Sequence, residues 1–492
     1  MRRLLIALTL AGAALRFATL DLQSFWFDEA VTVRLLRDDF FGMLDRIPGS
    51  ESTPPLYYVV AWPWAKLFGT GEVGLRSLSA LAGTATVPVA YAAAERLVSR
   101  RVGVAVAALA ALSPLLVWYS QEARSYALLG LLGATSVYGF ARLVRSPDRT
   151  ALWLWAGSSA LALATHYFAV FLVAGEALWL VLRARRPGLG AALAAIGAAA
   201  LTLLPLAVHQ DSLDLATFIR GDPLGERLIQ VAKQLLVGFD APVEPALVVI
   251  AAGVALAGVV LAARLLVAER SPGLLGAAAV AAVALAAPLV VALAGADYLL
   301  TRNLIALWLP AMTFVAAGLL SRRLGVVGVA LLCAIGLAGV VGTDVEPLWQ
   351  RDNWRGIVEA LGPPRVDRAV VLTPAETGVT PFLHYDRDAS RLGPAGATVA
   401  EIALVSVPER TSGGTHPQQP PRPARPQLAG FREVRRTYAD NFTVIVFARR
   451  RPVHLTPSAL GSYRLLPKET AGLLLERPVS AGEARARPRP GG

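Results

Sequence analysis

The chain has 492 residues, of which 55% are hydrophobic and 17% charged, and its mean hydropathy is +0.53. Because soluble domains carry about 25% charged residues, this composition excludes a soluble globular protein and indicates a surface that largely faces lipid. The net charge of +12 comes from arginines clustered between apolar runs, a distribution that argues against nucleic-acid binding. With Cys333 as its single cysteine, the chain has no intrachain disulfide and no cysteine-type zinc cluster.

The apolar runs predict eleven transmembrane helices, since a span needs roughly 20 residues and tolerates tilt. We interpret the first run, which follows Arg2 and Arg3, as an uncleaved anchor because Arg16 interrupts it and no clean cleavage site follows. A twelfth run, 56–68, is short, aromatic and contains Pro63, so we interpret it as an interfacial helix. The predicted spans are 3–20, 74–96, 102–119, 125–142, 151–165, 167–183, 189–208, 243–266, 274–295, 303–320 and 326–342.

Arginine-rich connections set the predicted orientation. With eleven spans and a cytoplasmic amino terminus, all of them lie inside, as the positive-inside rule requires, whereas counting 56–68 as a span places them all outside. These connections are 96–101, 142–149, 183–186, 264–270 and 321–323. The remaining connections and everything after residue 343 then face away from the cytoplasm. The bias toward Ala, Leu, Val, Gly and Arg indicates a high-GC bacterium, so the expected location is the bacterial inner or plasma membrane.

Residues suited to chemistry are concentrated in the connections on this outer side. After the first span, Trp26 and Phe27 flank Asp28 and Glu29, and a partly desolvated carboxylate suits a general base. The same acids would also complement the dipole at the start of a helix. The candidate site residues are Trp26, Asp28, Glu29, Tyr57, Tyr58, Arg76, Gln121, Glu122, Arg124, Tyr126, His166, Tyr167, Tyr298, Arg302 and Asn303.

Two arginines are candidate ligands for an anionic substrate. Arg124 follows Glu122 at one hairpin tip, which predicts either a local ion pair or a second acid beside a cation. Arg302 heads an apolar helix and could either snorkel to the membrane surface or clamp phosphate oxygens. His166, at the end of a span, is either interfacial or part of the same site.

The last third of the chain has a different character. Strand-like runs at 369–372, 402–407 and 442–447 alternate with helix-like runs at 354–361 and 380–385. This pattern predicts an extracytoplasmic α/β domain over 343–476. The Pro- and Gly-rich stretch 408–428 predicts a mobile loop, and the composition of 477–492 predicts a disordered tail.

Four motifs, taken in order, resemble a known family. They are Trp26-Phe27-Asp28-Glu29-Ala30, Pro54-Pro55-Leu56-Tyr57-Tyr58, Leu75-Arg76-Ser77-Leu78-Ser79-Ala80-Leu81 and Ser120-Gln121-Glu122-Ala123-Arg124-Ser125-Tyr126. The ordered set resembles the protein O-mannosyltransferase-like branch of the GT-C membrane glycosyltransferases, and segments 165–168 and 298–303 match bacterial members. The resemblance covers residues 1–342, the predicted transmembrane module, whose first external loop is 21–73. It implies an all-α polytopic bundle of about eleven transmembrane helices, followed by the α/β domain.

The resemblance also implies an activity. Such enzymes transfer a sugar from a polyprenyl-phosphate carrier to an acceptor hydroxyl at the outer membrane face, invert the anomeric centre and use an acid of the first external loop as base. Asp28 matches that acid, with Glu29 beside it, and Glu122 matches the acid of the second external loop. Many members have a histidine before the paired prolines, where this chain has Thr53.

The implied partners are a polyprenyl-phosphate-linked sugar, the lipid bilayer and a protein, lipid or polysaccharide acceptor, with no nucleic acid. Mannose is the family's sugar, and another hexose or a pentose fits as well. We expect no cofactor, although the carboxylates of Asp28, Glu29 and Glu122 could hold a divalent metal. The proposed site requires the two acidic hairpin tips and Arg302 to meet just outside the lipid.

Three other functions remain open. A transporter or flippase for polyprenyl-linked glycans predicts charged residues near the bilayer midplane and broken helices in matching halves. A polymerase or ligase of the same fold would use a pyrophosphate donor. A non-catalytic envelope assembly protein would transfer nothing.

Overall fold

A computed structural model describes residues 2–184, 186–215, 217–408, 419–424 and 427–478. The chain forms two compact units. Within the described residues, the first unit contains 2–22 and most of 32–345, and the second contains 23–31 together with the residues from 346 onward. The predicted boundary after residue 342 therefore falls inside the last helix of the first unit, which ends at Val345, and segment 23–31 belongs with the carboxy-terminal part of the chain.

The first unit is helical. Its helices are α1 (Arg2–Phe17), α2 (Phe27–Arg37, whose first turns belong to the second unit), α3 (Phe40–Ser50), α4 (Leu56–Phe68), α5 (Glu72–Leu97), α6 (Arg100–Leu112), α7 (Pro114–Ser120), α8 (Tyr126–Arg145), α9 (Arg149–Thr165), α10 (Ala169–Trp179), α11 (Leu189–Ser212), α12 (Leu224–Leu236), α13 (Glu244–Glu269), α14 (Pro272–Leu293), α15 (Trp308–Leu320) and α16 (Gly325–Val345). A π-helical turn, Leu180–Ala184, continues α10, and a 3₁₀ turn, Thr301–Leu307, leads into α15.

Seven helices in the described part of the chain are long and apolar enough to cross a membrane, or eight if the bent pair α6–α7 is one span. Ten of the eleven predicted runs coincide with one helix each and the run 102–119 with the pair α6–α7. However, α1 and α9 have only 16 and 17 residues, and the α-helical part of α10 has 11. The chain is therefore a polytopic membrane protein, and eleven stays a prediction. The predicted helix over 56–68 coincides with α4.

Small residues allow the helices of this unit to pack closely. Gly318 of α15 faces α13, where a Cβ on Gly318 would clash with the Gly258 carbonyl oxygen and would lie 2.5 Å from the Ala262 backbone nitrogen. In lipid there is no hydrophobic force between apolar helices, so such close backbone approach is a main source of their association. Gly318 thus fixes the separation of two helices in the bundle.

A buried acid lies inside the bundle. Glu176 of α10 is fully buried, and its Oε2 accepts hydrogen bonds from the Ser136 hydroxyl and, at 2.8 Å, from the Trp155 indole. Ser136 also lies 2.9 Å from the hydroxyl of Ser159. Sequence analysis did not single out this acid, because its donors come from two other helices.

The second unit has α17 (Trp354–Leu361), α18 (Ala375–Tyr385) and α19 (Pro457–Gly461) against one six-stranded sheet. Its strands are β1 (Arg368–Thr373), β2 (Ser390–Arg391), β3 (Ala397–Ser406), β4 (Arg432–Tyr438), β5 (Thr443–Leu455) and β6 (Gly472–Glu476), in the order β2-β6-β1-β3-β5-β4. Only β1 and β3 pair in parallel among these strands, because α18 lies between them in the chain and allows the crossover.

The predicted α/β domain is confirmed. The predicted strands match β1, β3 and β5, and the predicted helices match α17 and α18. Sequence analysis missed β2, β4, β6 and α19. Most of the predicted loop 408–428 and the predicted tail from 479 lie outside the described residues.

Candidate active site

The second predicted external loop is positioned by a broken span. Because Pro114 has no N–H to continue the helix, α6 ends at Leu112, the Ser113 hydroxyl caps α7, and the two helices bend by 54°. Arg16 of α1, fully buried, donates to the carbonyls of Ala111 at 3.1 Å and Ala110 at 2.9 Å. These bonds satisfy backbone oxygens that the break leaves without a helical donor. The arginine that interrupts the first apolar run is thus bonded into the protein interior.

The acid of this loop is enclosed. Glu122 is 1% exposed and follows Gln121, whose side-chain amide donates to the Leu15 carbonyl at 3.0 Å and to the Thr19 hydroxyl at 2.8 Å. Gln121 therefore ties the loop to the end of α1. Gln121 is a predicted substrate-binding residue, but in this structure its amide hydrogen-bonds other residues of the protein.

Arg124 forms a buried ion pair that sequence analysis did not identify. Its guanidinium binds both oxygens of Glu51, at 2.9 and 2.8 Å, and donates to the Tyr58 hydroxyl at 2.8 Å and the Thr32 hydroxyl at 3.3 Å. Arg124 and Glu51 are only 6% and 3% exposed. Glu51 precedes the paired prolines in the sequence, but nothing in the local pattern indicates a partner 73 residues away. The prediction of a local ion pair with Glu122 missed this long-range partner.

Polar groups from three connections meet at His166, between α9 and α10. The ring centroid of His166 lies 5.8 Å from that of Tyr126, Asn303 hydrogen-bonds the imidazole, and Arg302 and Arg124 are close enough to affect its charge. Burial, followed by the charges of Arg302 and Arg124, lowers the pKa of His166 to about 3. The Phe168 N–H donates to Nδ1 at 3.2 Å, so the proton of the neutral ring belongs on Nε2. His166 is a neutral hydrogen-bonding group beside two arginines.

Arg302 is less enclosed than Arg124. It is half-buried in the 3₁₀ turn before α15, and its guanidinium carbon lies 5.5 Å from the centroid of the Phe218 ring. Asn303, next to it, donates to the Tyr298 carbonyl at 2.7 Å. The Tyr298 hydroxyl donates to Asp211, a bond that raises the pKa of Tyr298 to about 12.

The other predicted residues of the first unit link its elements. Tyr167 donates to the Gln210 side chain at 2.8 Å, and Gln210 donates to the Thr53 carbonyl at 3.3 Å. Tyr57, 1% exposed, packs edge-on against Tyr58 at 5.4 Å. Arg76, also 1% exposed, donates to the Leu20 carbonyl at 2.8 Å. Buried bonds of this kind hold the loop in place around the site.

The first predicted motif belongs to the second unit. Asp28 and Glu29 both lie in the first turn of α2, so they complement the helix dipole as one interpretation expected. Glu29 is fully buried, whereas Asp28 and Trp26 are half-buried. Of the two acids, Asp28 is the one with exposed surface to offer a substrate.

Within the described residues there is no group of three His, Cys, Asp or Glu side chains arranged to hold a metal ion. The candidate residues of the first unit supply carboxylates, guanidinium groups, a neutral imidazole and tyrosine hydroxyls. Such a set can bind an anion and move a proton.

The long apolar helices, the broken span and the mixed-sheet unit define a polytopic membrane protein with a small α/β unit. Residues 52–210 match the family described as "Dolichyl-phosphate-mannose-protein mannosyltransferase". The crystal structure of ArnT from Cupriavidus metallidurans in the apo state is similar at a TM-score of 0.53 and 14% identity, covering 90% of this chain and 97% of that chain. The same protein bound to undecaprenyl phosphate is similar at a TM-score of 0.51 and 15% identity, with the same coverage.

A comparison with curated protein sequences finds no match. At identities this low, the likeness to ArnT shows the fold. The predicted GT-C fold is confirmed, and so is the resemblance to this class of membrane proteins.

Proposed function

We propose that the chain is an integral membrane glycosyltransferase that transfers a sugar from a polyprenyl-phosphate carrier to an acceptor hydroxyl at the extracytoplasmic face of a bacterial membrane. The observation that carries the proposal is the buried imidazole of His166, which Asn303 hydrogen-bonds and whose pKa is lowered by the charges of Arg302 and Arg124. The carrier's tail must stay in the bilayer while its phosphate and sugar reach water, so a site at the helix ends suits such a donor. The undecaprenyl phosphate bound to the similar ArnT structure supports the same class of carrier.

In this proposal Arg302 binds the phosphate. Arg124 is 6% exposed and makes two short bonds to Glu51, whereas Arg302 is half-buried and lies near the start of the 3₁₀ turn. A guanidinium binds phosphate oxygens in pairs, and its charge stabilises the phosphate as the sugar leaves. Neutral His166 hydrogen-bonds beside it without adding a charge.

The reaction is a single displacement. The acceptor oxygen attacks the anomeric carbon opposite the phosphate, a carbon–oxygen bond forms, and the bond between that carbon and the phosphate oxygen breaks. Asp28 takes the acceptor's proton, and the carrier leaves as the polyprenyl phosphate. Because the attack comes from the side opposite the phosphate, the anomeric centre is inverted. Mannose is the sugar we expect from the family, with another hexose or a pentose as alternatives, and the acceptor is a protein, a lipid or a polysaccharide.

The test is sugar transfer by the purified protein in lipid nanodiscs. The protein is given a labelled polyprenyl-phosphate sugar and an envelope extract as acceptor, and glycosidic products are identified by mass. We expect Asp28→Asn to lower the rate by about 10²–10⁴-fold, as the loss of a general base does. Asp45→Asn, which changes an exposed acid of the same loop, is the control and retains activity. Equal transfer rates for Asp28→Asn and the unchanged protein would refute the role of Asp28 as the base.

Glu176 gives a specific reason to test transport as the second function. It is a fully buried acid in an apolar helix, which a transporter of polyprenyl-linked glycans also predicts. Its bonds to Ser136 and Trp155 give it a structural role in the bundle. Vesicles that move the labelled lipid across the bilayer without forming a glycosidic bond would favour a flippase. Product from a pyrophosphate donor alone would favour a polymerase or ligase.

A further inference from the structure

The segment that carries Asp28 is held by hydrogen bonds from the start of the carboxy-terminal part of the chain. The Arg351 N–H donates to the side-chain oxygen of Gln23 at 2.8 Å. The Ser24 hydroxyl donates to the Asp352 carbonyl at 2.7 Å and accepts the Trp354 N–H at 2.9 Å. Ser24 is 1% exposed, so these bonds are shielded from water.

Phe25 is fixed by residues at the end of α18. Its side chain is fully buried, with the ring edge-on to His384 at a centroid distance of 5.4 Å. Its N–H donates to the hydroxyl oxygen of Tyr385 at 2.6 Å. The rings of His384 and Tyr385 lie 4.8 Å apart, so the tyrosine that accepts this bond is itself packed.

Asp28 follows this anchored segment without an intervening loop. Helix α2 begins at Phe27, and the Ala30 N–H bonds the Trp26 carbonyl at 2.9 Å, so Asp28 lies in a regular first turn. The position and direction of that turn depend on residues 23–26, since they lead directly into it. All these contacts lie within the second unit.

We propose that the carboxy-terminal unit positions the catalytic base, with Tyr385 and Ser24 as positioning residues for Asp28. The inference rests on the proposed function for its catalytic part and on the hydrogen bonds for its structural part. It gives this unit a role in the chemical step. A base displaced by about 1 Å loses roughly a hundredfold in rate, which sets the scale of the effect.

Tyr385→Phe removes the acceptor of the Phe25 N–H and keeps the ring. We expect kcat to fall about 10- to 100-fold while the KM for the polyprenyl-phosphate sugar stays within about twofold, because the donor's contacts are unchanged. Tyr463→Phe removes a hydroxyl from a half-buried tyrosine elsewhere in the unit and should leave both constants unchanged. Ser24→Ala should behave like Tyr385→Phe, and Ser24→Thr, which keeps the hydroxyl, should restore most of kcat.

A double variant separates positioning from a general loss of structure. If Tyr385 acts through Asp28, then Tyr385→Phe added to Asp28→Asn lowers kcat no further, because residues that act as one unit are not additive. A further fall of tenfold or more in the double variant, on the scale of one such contact, would overturn the inference. So would a kcat of Tyr385→Phe equal to that of the unchanged protein.

Hydrogen exchange of the full-length protein tests the anchoring without any substrate. Peptides covering 23–31 should exchange faster in Tyr385→Phe than in Tyr463→Phe, because the buried Phe25 N–H has lost its acceptor. Equal exchange in the two variants would refute the anchoring. If the unchanged protein transfers no sugar, the proposed function fails, and the exchange result alone decides whether the unit anchors this segment.

Discussion

Removing the charge of Glu51 should destabilise the first unit strongly, because Arg124 would keep a buried charge. The pair is bidentate, at 2.9 and 2.8 Å, with the arginine 6% and the glutamate 3% exposed. Glu51→Gln keeps the size of the side chain and one acceptor oxygen but removes the carboxylate charge that both guanidinium nitrogens face. Breaking a buried pair in this way costs about 3–5 kcal/mol, and we expect the lower end because Tyr58 and Thr32 still accept hydrogen bonds.

The assay is reversible unfolding in mixed micelles titrated with denaturing detergent. The double variant Glu51→Gln with Arg124→Met removes both charges and should recover at least about 1 kcal/mol of the loss, as buried pairs replaced together do. Arg46→Met, at an exposed pair with Asp38 in which the arginine side chain is 55% exposed, is the control and should cost under about 1 kcal/mol. A Glu51→Gln loss no larger than that of the control would refute the reasoning that this ion pair holds the site together.

Two further predictions use the same unfolding assay. Since the pKa of His166 is lowered from 6.5 to about 3, the unfolded chain takes up this proton first as the pH falls. The contribution of His166 to folding stability is therefore present above pH 6.5 and falls by about 2 kcal/mol between about pH 7 and pH 5. His166→Asn should remove this part of the dependence of stability on pH. An unchanged dependence would contradict a neutral buried imidazole. Gly318→Ala should cost about 1–3 kcal/mol because α13 and α15 must move apart, whereas Gly253→Ala, with no heavy atom within 4 Å of the added Cβ, should be neutral or slightly stabilising, and equal effects would contradict close packing at Gly318.

The architecture could be predicted from the sequence because membrane helices are encoded locally. Each apolar run coincides with one helix or, at 102–119, with the bent pair α6–α7, and the strand-like runs at 369–372, 402–407 and 442–447 coincide with strands. Strand β4 was missed because its exposed face carries arginines, so it lacks the apolar signal of a buried strand. The two-residue strand β2 gives no periodic signal at all.

The site was only partly predictable, for a different reason. The motifs identified His166, Arg302 and Asn303, and the structure brings them together. They did not identify Glu51, since a partner 73 residues distant from Arg124 depends on tertiary packing. Nor did they indicate that segment 23–31 pairs with residues more than 300 positions later, such as Trp354.

The buried arginines of the first unit differ in the groups that accept their hydrogen bonds. This difference affects which of them can bind a substrate. Arg124 faces a carboxylate, and Arg16 and Arg76 donate to backbone carbonyls that the surrounding helix ends leave available. A guanidinium whose donors are committed to the fold would have to give up buried bonds before it could bind a phosphate, and each lost bond costs roughly 1–3 kcal/mol. Arg302 is half-buried rather than enclosed, so part of its side chain is open to a phosphate that approaches from outside the protein. This exposure, more than the number of basic residues at one end of the bundle, is therefore the reason to assign the leaving group to Arg302.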